Sequence, residues 1–183
     1  TQQSLLVRGF VVVDQILRTP IMLLKRLLLA IFFLMPSISL CEVSILALGD
    51  SLTQGYGLAQ KEGFVPQLNN WLSDQGYEVN IINGGVSGDT SAGGLERVAW
   101  ALEANVDIMI VALGGNDLLR GIDPSSTRTN LDKILAIGAE KGVRLFLIGM
   151  TAPNNYGPEY KEEFDSIYPV SYTHLRAHET FAN

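Results

Sequence analysis

The sequence predicts an α/β fold built on a parallel sheet, and three observations carry that reading. After residue 41, short apolar runs alternate with apolar residues at helical spacing. The first and third runs are closed abruptly by glycine, and no internal repeat, low-complexity tract or linker interrupts the alternation. Strand–helix alternation is the signature of βαβ units, and strands covered by helices on both faces read as continuous apolar runs. At 183 residues the chain suits one domain with a sizeable core.

Taken in order, Val43 to Leu48 (VSILAL) is short, apolar and ended by Gly49-Asp50, which predicts a buried first strand. Phe64, Val65, Leu68, Trp71 and Leu72 recur at helical spacing, and Gly76 supplies a stop. Glu78 to Ile82 reads as the second strand. Asn83 to Gly94 (NGGVSGDTSAGG) is too rich in glycine for anything but a loop and the start of a helix, whose face Leu95, Val98, Ala99 and Leu102 mark. Asp107 to Leu113 (DIMIVAL), closed by Gly114-Gly115, predicts the third strand. Asp123-Pro124 is a capping residue followed by proline at the first helical position, so a helix starts there. Leu131, Ile134, Leu135 and Gly138 continue it, and Gly142 ends it. Val143 to Ile148 (VRLFLI) is the fourth strand, and Tyr160 to Tyr168 a short helix stopped by Pro169.

Three strand ends thereby lead into loops holding Ser51, Gly88 with Asp89, and Asn116. In open parallel sheets a ligand sits outside the carboxyl ends of the strands, so polar groups far apart in sequence are expected to converge there.

Charge and composition exclude several classes. The net charge is −6, and after Cys41 nine bases face eighteen acids, a balance that repels phosphate backbones and argues against nucleic-acid binding. It also leaves no polybasic patch for anionic lipid. No His/Cys/Asp cluster has metal-ligand spacing. Gly84-Gly85 and Gly114-Gly115 match neither G-x-G-x-x-G nor a Walker loop, and Ser51 does not stand in G-x-S-x-G. The apolar content of 47% owes much to the first forty residues. There, Lys25 and Arg26 precede an apolar run from Leu27 to Met35, Pro36 breaks it, and Ser37, Ser39 and Cys41 offer cleavage positions. Residues 22–41 thus have the form of a secretory signal peptide, too short to span a bilayer. The bulky Leu40 before the single cysteine, Cys41, argues against lipid attachment. Residues 1–21 do not begin with Met and fit no part of the domain; the simplest reading is translation upstream of a start at Met22.

Ser51 stands where the first strand meets the pattern that follows. A hydroxyl there lies near a helix N-terminus, which favours developing negative charge, but serine also needs a base to take its proton. On spacing alone an ordinary helix cap is the favoured reading of a serine after a strand. Together with their neighbours the motifs say more. Gly49-Asp50-Ser51-Leu52 (GDSL), Asn83 to Thr90 (NGGVSGDT) and Gly114-Gly115-Asn116-Asp117 (GGND), in that order and at strand ends, resemble the first three blocks of the SGNH, or GDSL-type, hydrolase family. Ser87 to Ser91, Leu119-Arg120-Gly121, Asn155-Tyr156-Gly157 and Ile167-Tyr168-Pro169 look like its bacterial branch of thioesterases, lysophospholipases and arylesterases. The resemblance runs from about Ile45 to Pro169.

That resemblance implies a flavodoxin-like three-layer sandwich around the parallel sheet. It also implies a serine esterase that cleaves acyl esters, thioesters or lysophospholipids through an acyl-serine, without cofactor or metal, as a monomer in the periplasm or outside the cell. Carried over, Ser51 is the nucleophile and donates its own N–H, and the Gly88 N–H and the Asn116 side-chain amide complete an oxyanion hole. Gly88 has no side chain to obstruct a carbonyl oxygen, and Asn116 supplies a donor without a competing charge. Asp50 and Asp117 flank these residues, as acids that bond loop backbone and hold the substrate side of the site rigid. Leu118, Leu119, Pro153, Asn155 and Tyr156 form the acyl wall. A non-catalytic binding module for acyl chains or glycans, or a carbohydrate O-acetylesterase, would share the fold or the blocks.

The family's triad also requires an Asp-x-x-His block. His174 and His178 are the histidines present, and Ser171 and Leu175 stand where that aspartate would be. The domain is therefore expected over 42–169, without its last strand and helix, followed by an unrelated tail over 170–183. Lacking its base, such a chain is expected to lose about 10⁴–10⁶ in kcat and to leave an apolar sheet edge uncovered.

Overall fold

The computed structural model describes residues 42–102 and 105–169, all within the unit Cys41–Asn183. Among them, β1 (Val43–Gly49), β2 (Val79–Gly85), β3 (Ile108–Ala112) and β4 (Arg144–Leu147) form one sheet in the order β2-β1-β3-β4, every pair parallel. The helices between and after them are α1 (Ser51–Gln54), α2 (Phe64–Asp74), α3 (Ser91–Ala101), α4 (Gly115–Leu119), α5 (Pro124–Glu140) and, following β4, α6 (Pro158–Asp165). Right-handed crossovers place α2 on one face of such a sheet and α3 with α5 on the other; α3 and α5 pack together, and α2 lies against β2.

The core sits on the α3/α5 face. Leu46 and Leu48 of β1, Met109 and Val111 of β3, Val98 of α3 and Leu131, Ile134 and Leu135 of α5 are all buried there. The period-2 alternation of the strands and the i, i+3, i+4 spacing of α5 bring these side chains to one side. Asp123 caps α5, its carboxylate accepting the Ser125 N–H at 2.8 Å, with Pro124 at the first turn. β4 lies at the sheet edge with Phe146 and Ile148 about half exposed. The expected helix over Tyr160 to Tyr168 instead begins at Pro158, ends at Asp165 and resumes as a short turn over 167–169. Aromatic residues along it and at either side form a ladder, Tyr156 on Tyr160, Tyr160 on Phe164 and Phe164 edge-on to Tyr168. The ladder ends at the buried Tyr168, whose hydroxyl donates to the Leu113 carbonyl at 3.1 Å; burial raises its pKa well above the ordinary phenol range.

One expectation was too conservative. Asn83, Gly84 and Gly85 are not loop: they extend β2 in register with Ala47, Leu48 and Gly49. The reason is contact across the strand ends. A Cβ on Gly49 would lie 2.0 Å from Thr53 Oγ1, and one on Gly85 2.2 Å from the Gln54 nitrogen. Both glycines let α1 rest directly on the ends of β1 and β2.

Candidate active site

Register decides where the site forms. Gly49 pairs with Gly85 on one side and with Ala112 on the other, so β1, β2 and β3 end level and their exit loops leave from one edge.

The first loop is a single helical turn. Asp50, only 3% exposed, caps α1 by accepting the Leu52 N–H at 3.0 Å, and Gly55 closes the turn in the left-handed region. Ser51 is half-buried at the first position of α1, with no hydrogen-bond partner for its hydroxyl or its N–H among the described residues. A helix this short has little macrodipole, so any electrostatic help at Ser51 comes from individual N–H groups.

The second loop turns at Gly88, whose φ of +80° is a left-handed conformation that L side chains rarely adopt. The Asp89 N–H bonds back to the Val86 carbonyl at 3.1 Å, leaving the Gly88 N–H without an acceptor among the described residues. The Gly88 carbonyl accepts Arg120 Nη2 at 2.7 Å.

The third loop supplies the connection. Asn116 Nδ2 donates to Asp50 Oδ2 at 3.2 Å and to the Asp89 carbonyl at 2.9 Å. One amide thus binds the residue before Ser51 to the residue after Gly88, so Ser51, Gly88 and Asn116 share one edge of the sheet.

Asp117 faces away from this surface. It is 1% exposed, and its oxygens accept the Ser91 N–H at 2.8 Å, the Ser91 hydroxyl at 2.5 Å and the Thr127 hydroxyl at 3.2 Å. Both aspartates are framework for the loops, and neither carboxylate is open to a substrate. Leu118 packs against the core, whereas Leu119 is 74% exposed. Pro153 and Asn155 are exposed, and Tyr156 is half-buried. No hydrogen bond, ion pair or ring contact among the described residues joins these three to Ser51, Gly88 or Asn116. The fourth strand's exit does reach the edge: Met150 Sδ lies 3.7 Å from where a Cβ on Gly115 would be.

Sequence reasoning missed Arg97, Ser91, Thr127 and Lys161. Lys161 Nζ donates to the Ala152 carbonyl at 2.5 Å and to Asp165 Oδ2 at 2.7 Å, while Asp165 Oδ1 accepts the Ala152 N–H at 2.7 Å. The pair fixes the peptide just before Pro153. The Lys161 hydrogen bond, then that from Ala152, lowers the Asp165 pKa. A carboxylate with a lowered folded-state pKa contributes stability that is present above its unfolded value and lost as pH falls through the folded one. Asp165→Asn is therefore expected to lower the urea midpoint at neutral pH and to flatten the loss of stability below about pH 4. Urea titrations across the acid range check this; an unchanged acid limb refutes it.

The histidines His174 and His178, the leader over 22–41, residues 1–21 and the tail over 170–183 lie outside the described residues. Among the described residues no group of His, Cys, Asp and Glu could hold a metal ion, and no helix is long and apolar enough to cross a membrane.

Comparisons with known proteins agree with one another. The GDSL-like lipase/acylhydrolase family matches residues 47–170. Esterase TesA of Pseudomonas aeruginosa is 39% identical over 126 residues, which is 68% of this chain and 63% of that protein's length. An arylesterase of Vibrio mimicus is 34% identical over 148 residues, 80% of this chain and 74% of that one. Among solved structures, AlinE4, an SGNH-hydrolase family esterase, superposes with a TM-score of 0.72 at 43% identity, over 74% of each chain.

Proposed function

This chain belongs to the GDSL-like lipase/acylhydrolase family, and on that premise we propose that the full-length gene product is a serine esterase with Ser51 as its nucleophile. Its substrates are acyl esters, thioesters or lysophospholipids, and it acts as a monomer outside the cytoplasm, to which the leader pattern over 22–41 directs it. The Ser51 oxygen attacks the acyl carbonyl carbon, a histidine base takes its proton, and the carbonyl oxygen becomes an anion. The Ser51 and Gly88 N–H groups and Asn116 Nδ2 receive that anion. The alcohol or thiol then leaves with the proton, and water frees the acyl group from Ser51 by the same steps. Neither His174 nor His178 stands three residues after an aspartate, so the base is assigned to neither, and the 183-residue chain alone is expected to turn over slowly.

The observation that carries this reading is the Asn116 amide, which ties the Ser51 loop to the Gly88 loop. Both its hydrogens are engaged; the longer bond, at 3.2 Å to Asp50, is the one an incoming oxyanion displaces. Asn116→Ala is expected to lower kcat about 10²–10³-fold with a smaller change in KM, read by steady-state kinetics on p-nitrophenyl esters. The reading itself is tested by treating the full-length protein with a fluorophosphonate and mapping the label by peptide mass spectrometry. Labelling at Ser51 is expected; none, or labelling elsewhere, overturns it. A panel from p-nitrophenyl acetate to palmitate, with acyl-CoA and acetylated xylan, then separates acyl esterase from carbohydrate O-acetylesterase.

A further inference from the structure

We propose that Arg97 is the positioning residue of this site, holding the oxyanion donors at a common geometry. The inference rests on the esterase reading above and extends it to a residue outside the three motif loops.

Arg97 lies in α3, and its side chain is 21% exposed. Its guanidinium makes three hydrogen bonds to three different segments. Nε donates to Asp89 Oδ2 at 2.7 Å, Nη1 to the Gly84 carbonyl at 2.7 Å and Nη2 to the Gly49 carbonyl at 2.9 Å. Gly49 is the last residue of β1, two before Ser51. Gly84 is the penultimate residue of β2, four before Gly88. Asp89 follows Gly88 directly, and its carbonyl holds the Asn116 amide. Each bond of the fork therefore lands within a few residues of one donor, or on the residue that orients it.

Two physical consequences follow. A planar guanidinium fixes the relative positions of its acceptors, which a point charge on a flexible stem does not. The base of this fork is rigid: its neighbour Val98 is fully buried, and Ser91 at the head of α3 is bonded to Asp117. Arg97 also neutralises the Asp89 carboxylate. Left unpaired, that charge would stand beside Gly88 and oppose an anion forming there.

The test uses the full-length gene product, with kcat on p-nitrophenyl butyrate expressed per Ser51 site titrated with a fluorophosphonate. In Arg97→Met, kcat per titrated site is expected to fall about 10²-fold, the scale of an ångström's misplacement, with KM nearly unchanged. Arg97→Lys keeps the charge near Asp89 but cannot hold both strand carbonyls, so it is expected to recover about tenfold of that loss. A purely structural role would lower the number of titratable sites and leave kcat per site intact, and that result overturns the inference. Where Arg97→Met does not fold, Arg97→Lys alone decides: kcat per site equal to the unsubstituted protein's overturns it. An unsubstituted protein whose Ser51 takes no label removes the esterase reading, and this inference falls with it.

Discussion

Ser51→Ala in the full-length protein is expected to lower kcat for ester hydrolysis by about 10⁴–10⁶-fold and to abolish fluorophosphonate labelling. Substrate contacts and the Gly88 and Asn116 donors survive the change, so KM should move little. Stability should hardly move either. The Ser51 hydroxyl bonds to nothing among the described residues, and the cap of α1 comes from Asp50. Alanine leaves no orphaned group there and is itself a good helix former. A collapse in rate with an unchanged melting temperature is therefore the diagnostic pair, measured by steady-state kinetics and thermal unfolding on one preparation. A loss of less than about tenfold in kcat would end the claim that Ser51 is the nucleophile. The size of the effect also reports on the base. Triad members act as a unit, so in a chain without a working histidine the hydroxyl has already lost most of its value. Comparing the substitution in the full-length product and in the 183-residue chain thus tells whether the base lies within these 183 residues.

What the sequence made legible follows from what each feature depends on. β1 and β3 fall within a residue or two of expectation because strands in the middle of the sheet, covered on both faces, are apolar along their length. The edge strand β4 does so because its short apolar run is bounded by turn residues, and both signs are visible locally. The end of β2 was not legible. Asn83, Gly84 and Gly85 look like loop by composition, yet β1 offers them a backbone ladder and α1 sits where side chains would otherwise project. That is a tertiary fact with no local sign. In the site, the three motif loops and the level strand ends could be anticipated together, since parallel βαβ units deliver their exit loops to one edge. Arg97 could not. It stands in a helix beside the buried Val98, and nothing in its neighbours indicates that its fork reaches two strand ends and Asp89.

Asp117 is the sharper case, because its role was read as substrate-side and its effect on folding should be among the largest in the chain. Asp117→Ala removes the acceptor for the Ser91 N–H, the Ser91 hydroxyl and the Thr127 hydroxyl. Ser91 and Thr127 are themselves fully buried, so water cannot replace the lost partner. An orphaned buried donor costs about 1–3 kcal/mol; the hydroxyls can rotate toward other acceptors, but the backbone N–H cannot. Relief of the buried carboxylate's own desolvation offsets part of the loss. The net expectation is about 3 kcal/mol, or roughly 10 °C in melting temperature for a domain of this size. Asp117→Asn should cost less. Its oxygen can still serve the Ser91 N–H, while its amide must donate to a hydroxyl that now has to accept. The order unsubstituted, Asn, Ala in urea unfolding midpoint, at constant m, is the signature of the network. Equal midpoints for the Asn and Ala variants, or a loss below about 1 kcal/mol for Ala, would mean that Ser91 and Thr127 find other partners. The network would also link stability to chemistry. Asp117 is the neighbour of Asn116 in α4, and through Ser91 it fixes the start of α3, the helix that carries Arg97. Asp117→Ala is therefore expected to weaken both the fold and the oxyanion donors, whereas Ser51→Ala touches the chemistry alone.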